Sequence, residues 1–141
     1  MKIRNINLKA IEARRYIKPN ERPKKVRIDH NSSFTHVSYD SENRGTIEFQ
    51  YTASYSSVGM IKIEGSLILE HEDVKKIVDD WNNSKKMPNE IASHLHTAIM
   101  HACVPQAVGI AKDLTLPPPI PLPQVKLGQK PSKAESGPEV A

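Results

Sequence analysis

Cysteine occurs once in the 141 residues, aromatic side chains make up 5 % of them and glycine occurs six times. The lone Cys103 closes no internal disulfide, so burial and hydrogen bonding have to hold the fold. No apolar run approaches the ~18 residues that cross a bilayer. The opening stretch MKIRNINLKAIEARR has no apolar segment of the secretory kind. The expectation is a protein that does not insert into membranes and works in the reducing cytoplasm. No glycine-rich phosphate loop is present. His94, His96 and His101 lack the i, i+4 spacing that lets helical histidines converge on a metal. Cys103 has no sequence-near base to activate it, so a buried, unreactive thiol is the default. The acidic pairs Glu72–Asp73 and Asp79–Asp80 are adjacent in sequence, and adjacent residues diverge on a helix. No metal, no cofactor and no enzymatic activity are expected.

What is abundant is charge, unevenly placed. Residues 1–27 hold ten Lys/Arg against two Glu, and the remaining residues hold ten Lys/Arg against fourteen Asp/Glu. The basic end could neutralise phosphates through Arg14, Arg15, Lys18, Arg22, Lys24, Lys25 and Arg27. Only Tyr16 stands nearby as an aromatic, which makes a poor stacking platform for single strands. An RNA- or ribosome-associated protein is therefore the alternative reading of the chain.

The hydrophobic periodicity changes once. Residues Ile3–Tyr16 fit either a strand or one face of a helix. KPNERPKK, at 18–25, is a polar loop. Val26–Tyr39 reads as a strand interrupted at Asp29–Ser33, and SENRG at 41–45 as a turn. Ile47, Phe49, Tyr51, Ala53 and Tyr55 then alternate with polar residues. After the turn SSVG, Ile61, Ile63, Gly65, Leu67 and Leu69 do the same, which predicts an antiparallel hairpin with one apolar face. Gly65, at an inward position, predicts close approach of another backbone. From residue 71 the period becomes helical. Val74, Ile77, Val78 and Trp81 share one face, and Ile91, Leu95, Ala98, Ile99 and Ala102 share another. Pro105 is expected to kink or divide the second helix. Strands followed by helices predict an α+β domain. With so lean an apolar content, the hairpin's greasy face is expected to need cover from a partner or a second copy.

LTLPPPIPLP, at 114–123, cannot be a helix or an interior strand. Its interleaved leucine and isoleucine favour a strap, over 114–127, packed on its own domain or on a second subunit rather than a free ligand. Residues 128–141 lack the apolar content to fold and are expected to form a disordered tail.

Three stretches taken together, VGMIKIEGSLIL, HACVPQAVGIAKDL and LTLPPPIPLPQV, resemble the SecB-type export chaperones and the smaller SecB-like proteins of archaea and of toxin–antitoxin systems. The resemblance spans residues 3–125. Gly59–Ile63 stand at the family's last-strand motif, Ala102–Ala107 at its helical proline segment and Leu116–Pro123 at its proline-rich closure. It implies a four-stranded antiparallel sheet followed by two helices packed on one face, in a single domain over 1–127, with Ile3–Tyr16 as a strand. It also implies an ATP-independent binder of unfolded polypeptides that assembles into dimers or tetramers. The side chains available for clients are Phe34, Tyr39, Phe49, Tyr51, Tyr55, Ile61, Ile63 and Trp81. The export chaperones carry an acidic surface that meets the translocation motor. The basic N-terminal third departs from that pattern and argues against such coupling.

Overall fold

A computed structural model describes residues 1–21 and 25–120. Four strands come first, β1 (Lys2–Arg15), β2 (Asp29–Ser41), β3 (Arg44–Ser54) and β4 (Gly59–Glu70). Two helices follow, α1 (Val74–Ser84) and α2 (Asn89–Asp113). The sheet is antiparallel throughout, in the order β1-β4-β3-β2, which leaves β1 and β2 as its edges.

The period-two stretches form the two central strands. Their inward residues Ile47, Phe49, Tyr51, Ala53, Ile61, Ile63, Leu67 and Leu69 are all buried, while the outward ones are polar or half-buried. Each large apolar side chain removed from water in this way contributes about 1.5–3 kcal/mol. The expectation that this face needs a partner's cover is corrected here. α1 closes it at one end through Val74, Ile77 and Val78, and α2 through Ile91, Leu95, Ile99, Cys103, Ala107 and Ala111.

Ile3–Tyr16 resolves as strand, but an irregular one. Its register against β4 shifts between Arg4 and Asn7 and again between Leu8 and Ala10, and Asn5 adopts φ 53°. The irregularity brings the Asn7 carbonyl over Gly65, where a β carbon would collide with it and with Phe49 Cζ at 2.8 Å. That is the close backbone neighbour expected at this glycine.

Asp29–Ser33 does not interrupt β2 as expected. These residues pair in register with Ser54–Gln50, so the strand begins where a break was anticipated. Asp29, Asn31 and Ser33 face the polar side of the sheet, which removes any need for apolar residues there. The irregularity lies slightly later, between Phe34 and His36. Pro105 does not divide α2, which runs unbroken for 25 residues. The proline and His101, whose carbonyl loses its intrahelical partner, are both exposed, so water can satisfy the freed group.

α2 ends in a tight reversal. Thr115 adopts φ 55°, and Leu116 donates its N–H to the Ala111 carbonyl at 2.8 Å, a Schellman-type closure without glycine. Leu116 then buries itself against Gly59, and Pro117–Pro119 lead the chain back toward the sheet. The strap beyond residue 120 and the tail at 128–141 lie outside the described residues.

Candidate peptide-binding groove

Two places on the helix-covered side of the sheet combine apolar surface with unusual polar chemistry. The first is an aromatic cluster along the β2 edge. Phe34 projects inward from β2 opposite Phe49. Its ring stacks on His96 of α2, with centroids 4.5 Å apart and planes 17° from parallel. It meets Trp81 of α1 edge-on at 5.6 Å. His96 is positioned by a 2.8 Å hydrogen bond between its Nδ1 and Ser32 Oγ. Burial pushes the imidazole's pKa down. Met87, on the connection between the helices, completes the apolar lining of a groove of about 500 Å³. Phe34, Trp81, Met87 and His96 are all half-buried, so the groove presents ring surface to solvent. Asn82 Nδ2 donates to the Val37 carbonyl at 3.2 Å, so α1 caps β2 there. The β2 backbone beside Ser32–Phe34 belongs to an edge strand with no second neighbour among the described residues.

The second place is where the strap returns. Tyr55 donates its hydroxyl to the Pro117 carbonyl at 2.7 Å. His30 bridges Tyr51 Oη at 2.7 Å and the Pro119 carbonyl at 2.6 Å. A carbonyl accepts only, so His30 presents its N–H at Nε2 and accepts the Tyr51 hydroxyl at Nδ1. Burial raises the phenol of Tyr55 to about 12 and that of Tyr51 further, so both remain neutral donors. Arg15 pins the same junction. Its two terminal nitrogens donate to the carbonyls of Leu114, Thr115, Lys18 and Glu21, the last at 2.9 Å. A hollow of about 440 Å³ remains between Arg15, Val26, Val58, Leu116 and Pro117. Another hollow, about 640 Å³, is lined by Met1, Lys2, Glu42, Arg44, Glu70 and Glu72, mostly charged side chains.

The residues expected to meet clients are divided by this arrangement. Phe34 and Trp81 come together in the groove. Phe49, Tyr51, Tyr55, Ile61 and Ile63 are at most 1 % exposed and form the floor of the core under α2 and the strap, so they present no surface on this chain. Period two identified the inward face correctly, but inward here means covered. Tyr39, at the far end of β2, is 44 % exposed and outside the groove.

The basic residues divide too. Arg15 is occupied by four carbonyls, Arg27 pairs with Asp29 at 3.1 Å, and Arg14 faces the opposite side of the sheet from Arg15. Lys18 and Lys25 are exposed, and Arg22 and Lys24 lie outside the described residues. Cys103 is fully buried, and burial pushes its thiol up to about 11. Among the described residues no three His, Cys, Asp or Glu side chains gather as metal ligands, and no helix is long and apolar enough to cross a membrane.

Several groove residues carried no signal of their own in the sequence. Ala92 and His96 stand four residues apart, one position past the buried stripe Ile91, Leu95 and Ile99. That flanking row marks the side of α2 that faces the edge. Met87, Lys85 and Lys86 sit in a connection with no period at all.

No protein-family model and no curated protein matches the sequence. Among solved structures, the chain is similar to the Mycobacterium tuberculosis SecB-like chaperone Rv1957, solved in complex with a ChAD peptide from the HigA1 antitoxin. The match has a TM-score of 0.56 and 16 % identity, over 89 % of this chain and 87 % of that one. The four-stranded antiparallel sheet followed by two helices is thus a SecB-like fold.

Proposed function

We propose that the chain binds extended, non-native polypeptide in the groove between β2, α1 and α2, as an ATP-independent chaperone of the SecB-like kind. One observation carries the reading. Phe34, Trp81 and Met87 leave apolar surface half open beside a strand edge that is unpaired among the described residues. An incoming segment can bury a side chain against the rings and pair its backbone with β2, the two contributions that strand addition combines. The structural neighbour's binding of an antitoxin peptide supports the same use of the fold.

The other edge suits self-association. Ile11 sits opposite the buried Ile63 yet is 51 % exposed, on a strand with no second neighbour among the described residues. A long edge with apolar side chains is a surface that proteins cover. A homodimer or tetramer paired through β1, working in the cytoplasm, completes the proposal. Neither role calls for a cofactor or an enzymatic step.

The test is suppression of aggregation. A chemically unfolded model protein is diluted into buffer with the full chain at equimolar subunits, without nucleotide. Light scattering is expected to fall by more than half. Unchanged scattering, with circular dichroism reporting a folded chain, would count against the proposal.

A further inference from the structure

The groove is charged as well as apolar. Lys85 and Lys86 line it, and among the described residues no carboxylate does. Glu90 is only one residue from groove-lining Asn89, yet it lines a separate hollow with Met1, Ile3 and His71. Lys85 is also held in place. It closes α1 in a left-handed conformation, φ 59°, with its N–H on the Trp81 carbonyl at 2.8 Å. Its ammonium lies 5.4 Å from the centroid of the Trp81 ring. A cation therefore stands over the aromatic wall where a ligand's side chain would enter, with a second cation beside it.

We propose that this groove selects polypeptide segments in which an apolar or aromatic residue is flanked by aspartate or glutamate. The apolar side chain enters against Phe34 and Trp81, and the flanking carboxylates meet Lys85 and Lys86. Segments flanked by lysine or arginine bring like charge to the same two ammonium groups and are disfavoured. The inference rests on the polypeptide-binding reading above and names the class of segment that the site takes.

Two exposed ion pairs, each modest, together amount to about fivefold in affinity at low ionic strength. The preference fades as salt shortens the screening length to a few ångströms.

The experiment uses two fluorescent peptides that share one apolar core and differ only in having glutamate or lysine on both sides. Each is titrated with the full chain at low salt and at about 0.5 M salt. The glutamate-flanked peptide is expected to bind about fivefold more tightly at low salt and nearly equally at high salt. The double variant Lys85→Asn with Lys86→Glu is expected to abolish or reverse the order. Asparagine is chosen because it tolerates the left-handed backbone at 85. Equal affinities at low salt overturn the charge preference while leaving polypeptide binding intact. Failure of both peptides to bind overturns both proposals. Displacement of the bound peptide by a single-stranded oligonucleotide of higher affinity would assign the two lysines to phosphate and overturn this one.

Discussion

The carbonyl oxygen of Asn7 occupies the space that a β carbon on Gly65 would need. β1 reaches this approach through its left-handed Asn5 and two register shifts, so the glycine fixes how the edge strand lies on β4. Elsewhere in a strand, replacing glycine by alanine gains up to about 1 kcal/mol. Gly65→Ala is expected to cost about 2–3 kcal/mol instead, because neither the backbone of β1 nor the ring of Phe49 yields freely. Denaturant unfolding measures the loss. Amide exchange should place it first in β1, the edge proposed to bind a second copy.

Arg15 makes a polar tie between distant parts of the chain. It joins the end of β1 to the residues after α2, and its Nε is buried without a partner among the described residues. Its guanidinium sits where the carbonyls at the end of α2 concentrate negative charge. Arg15→Ala is expected to destabilise by about 2–4 kcal/mol, since several carbonyls lose a charged donor together. Arg15→Lys should recover only part of this, as an ammonium cannot serve four carbonyls in a fork. A thermal melt distinguishes the three proteins. Arg14→Ala, on the opposite sheet face, should change stability by no more than about 0.5 kcal/mol.

The strap depends on Tyr55. Tyr55→Phe keeps the buried ring and removes only the hydrogen bond to Pro117. The carbonyl is left short of a donor, so a loss of about 1–2 kcal/mol is expected. Proteolysis in the native state should detect earlier cutting near residues 114–120 than in the parent protein.

His96 predicts a pH response of definite sign. Its pKa in the folded chain is lowered from 6.5 by burial. Below about pH 6.5 the unfolded chain takes up a proton that the folded chain resists, so stability falls as pH drops through that region. Above it the contribution is fully present. His96→Phe keeps a ring to stack on Phe34 and removes the titrating group. Melting temperatures compared between about pH 5 and pH 7.5 should show a flatter profile for the variant. An identical slope would remove His96 from the account.

Most of the fold could be read from two periods. The alternation at Ile47–Tyr55 and Ile61–Leu69 gave the central hairpin, and Val74, Ile77, Val78 and Trp81 gave α1. Ile3–Tyr16 could not be decided from its own pattern, because its bulges at Arg4–Asn7 and Leu8–Ala10 mix the two periods. The groove was only half legible. Phe34 and Trp81 were recognisable as aromatics, but periodicity says which face a side chain takes and not what covers it. Phe49, Tyr51 and Tyr55 share that inward face with Phe34, and α2 and the strap seal only the central strands. His96, Met87 and Lys85 enter the site through the path of the α1–α2 connection, which no local pattern encodes. Arg15 read as one of a basic cluster, since sequence shows a charge and not the carbonyls folded around it.

The central claim is that client polypeptide packs against Phe34 and Trp81. Trp81 is the chain's only tryptophan, so its fluorescence reports on that groove alone. Titration with an unfolded polypeptide free of tryptophan is expected to shift its emission to shorter wavelength, saturably, with Phe34→Ala weakening the midpoint at least severalfold. An emission spectrum that stays unchanged while the same polypeptide demonstrably binds would place the client elsewhere and contradict the account.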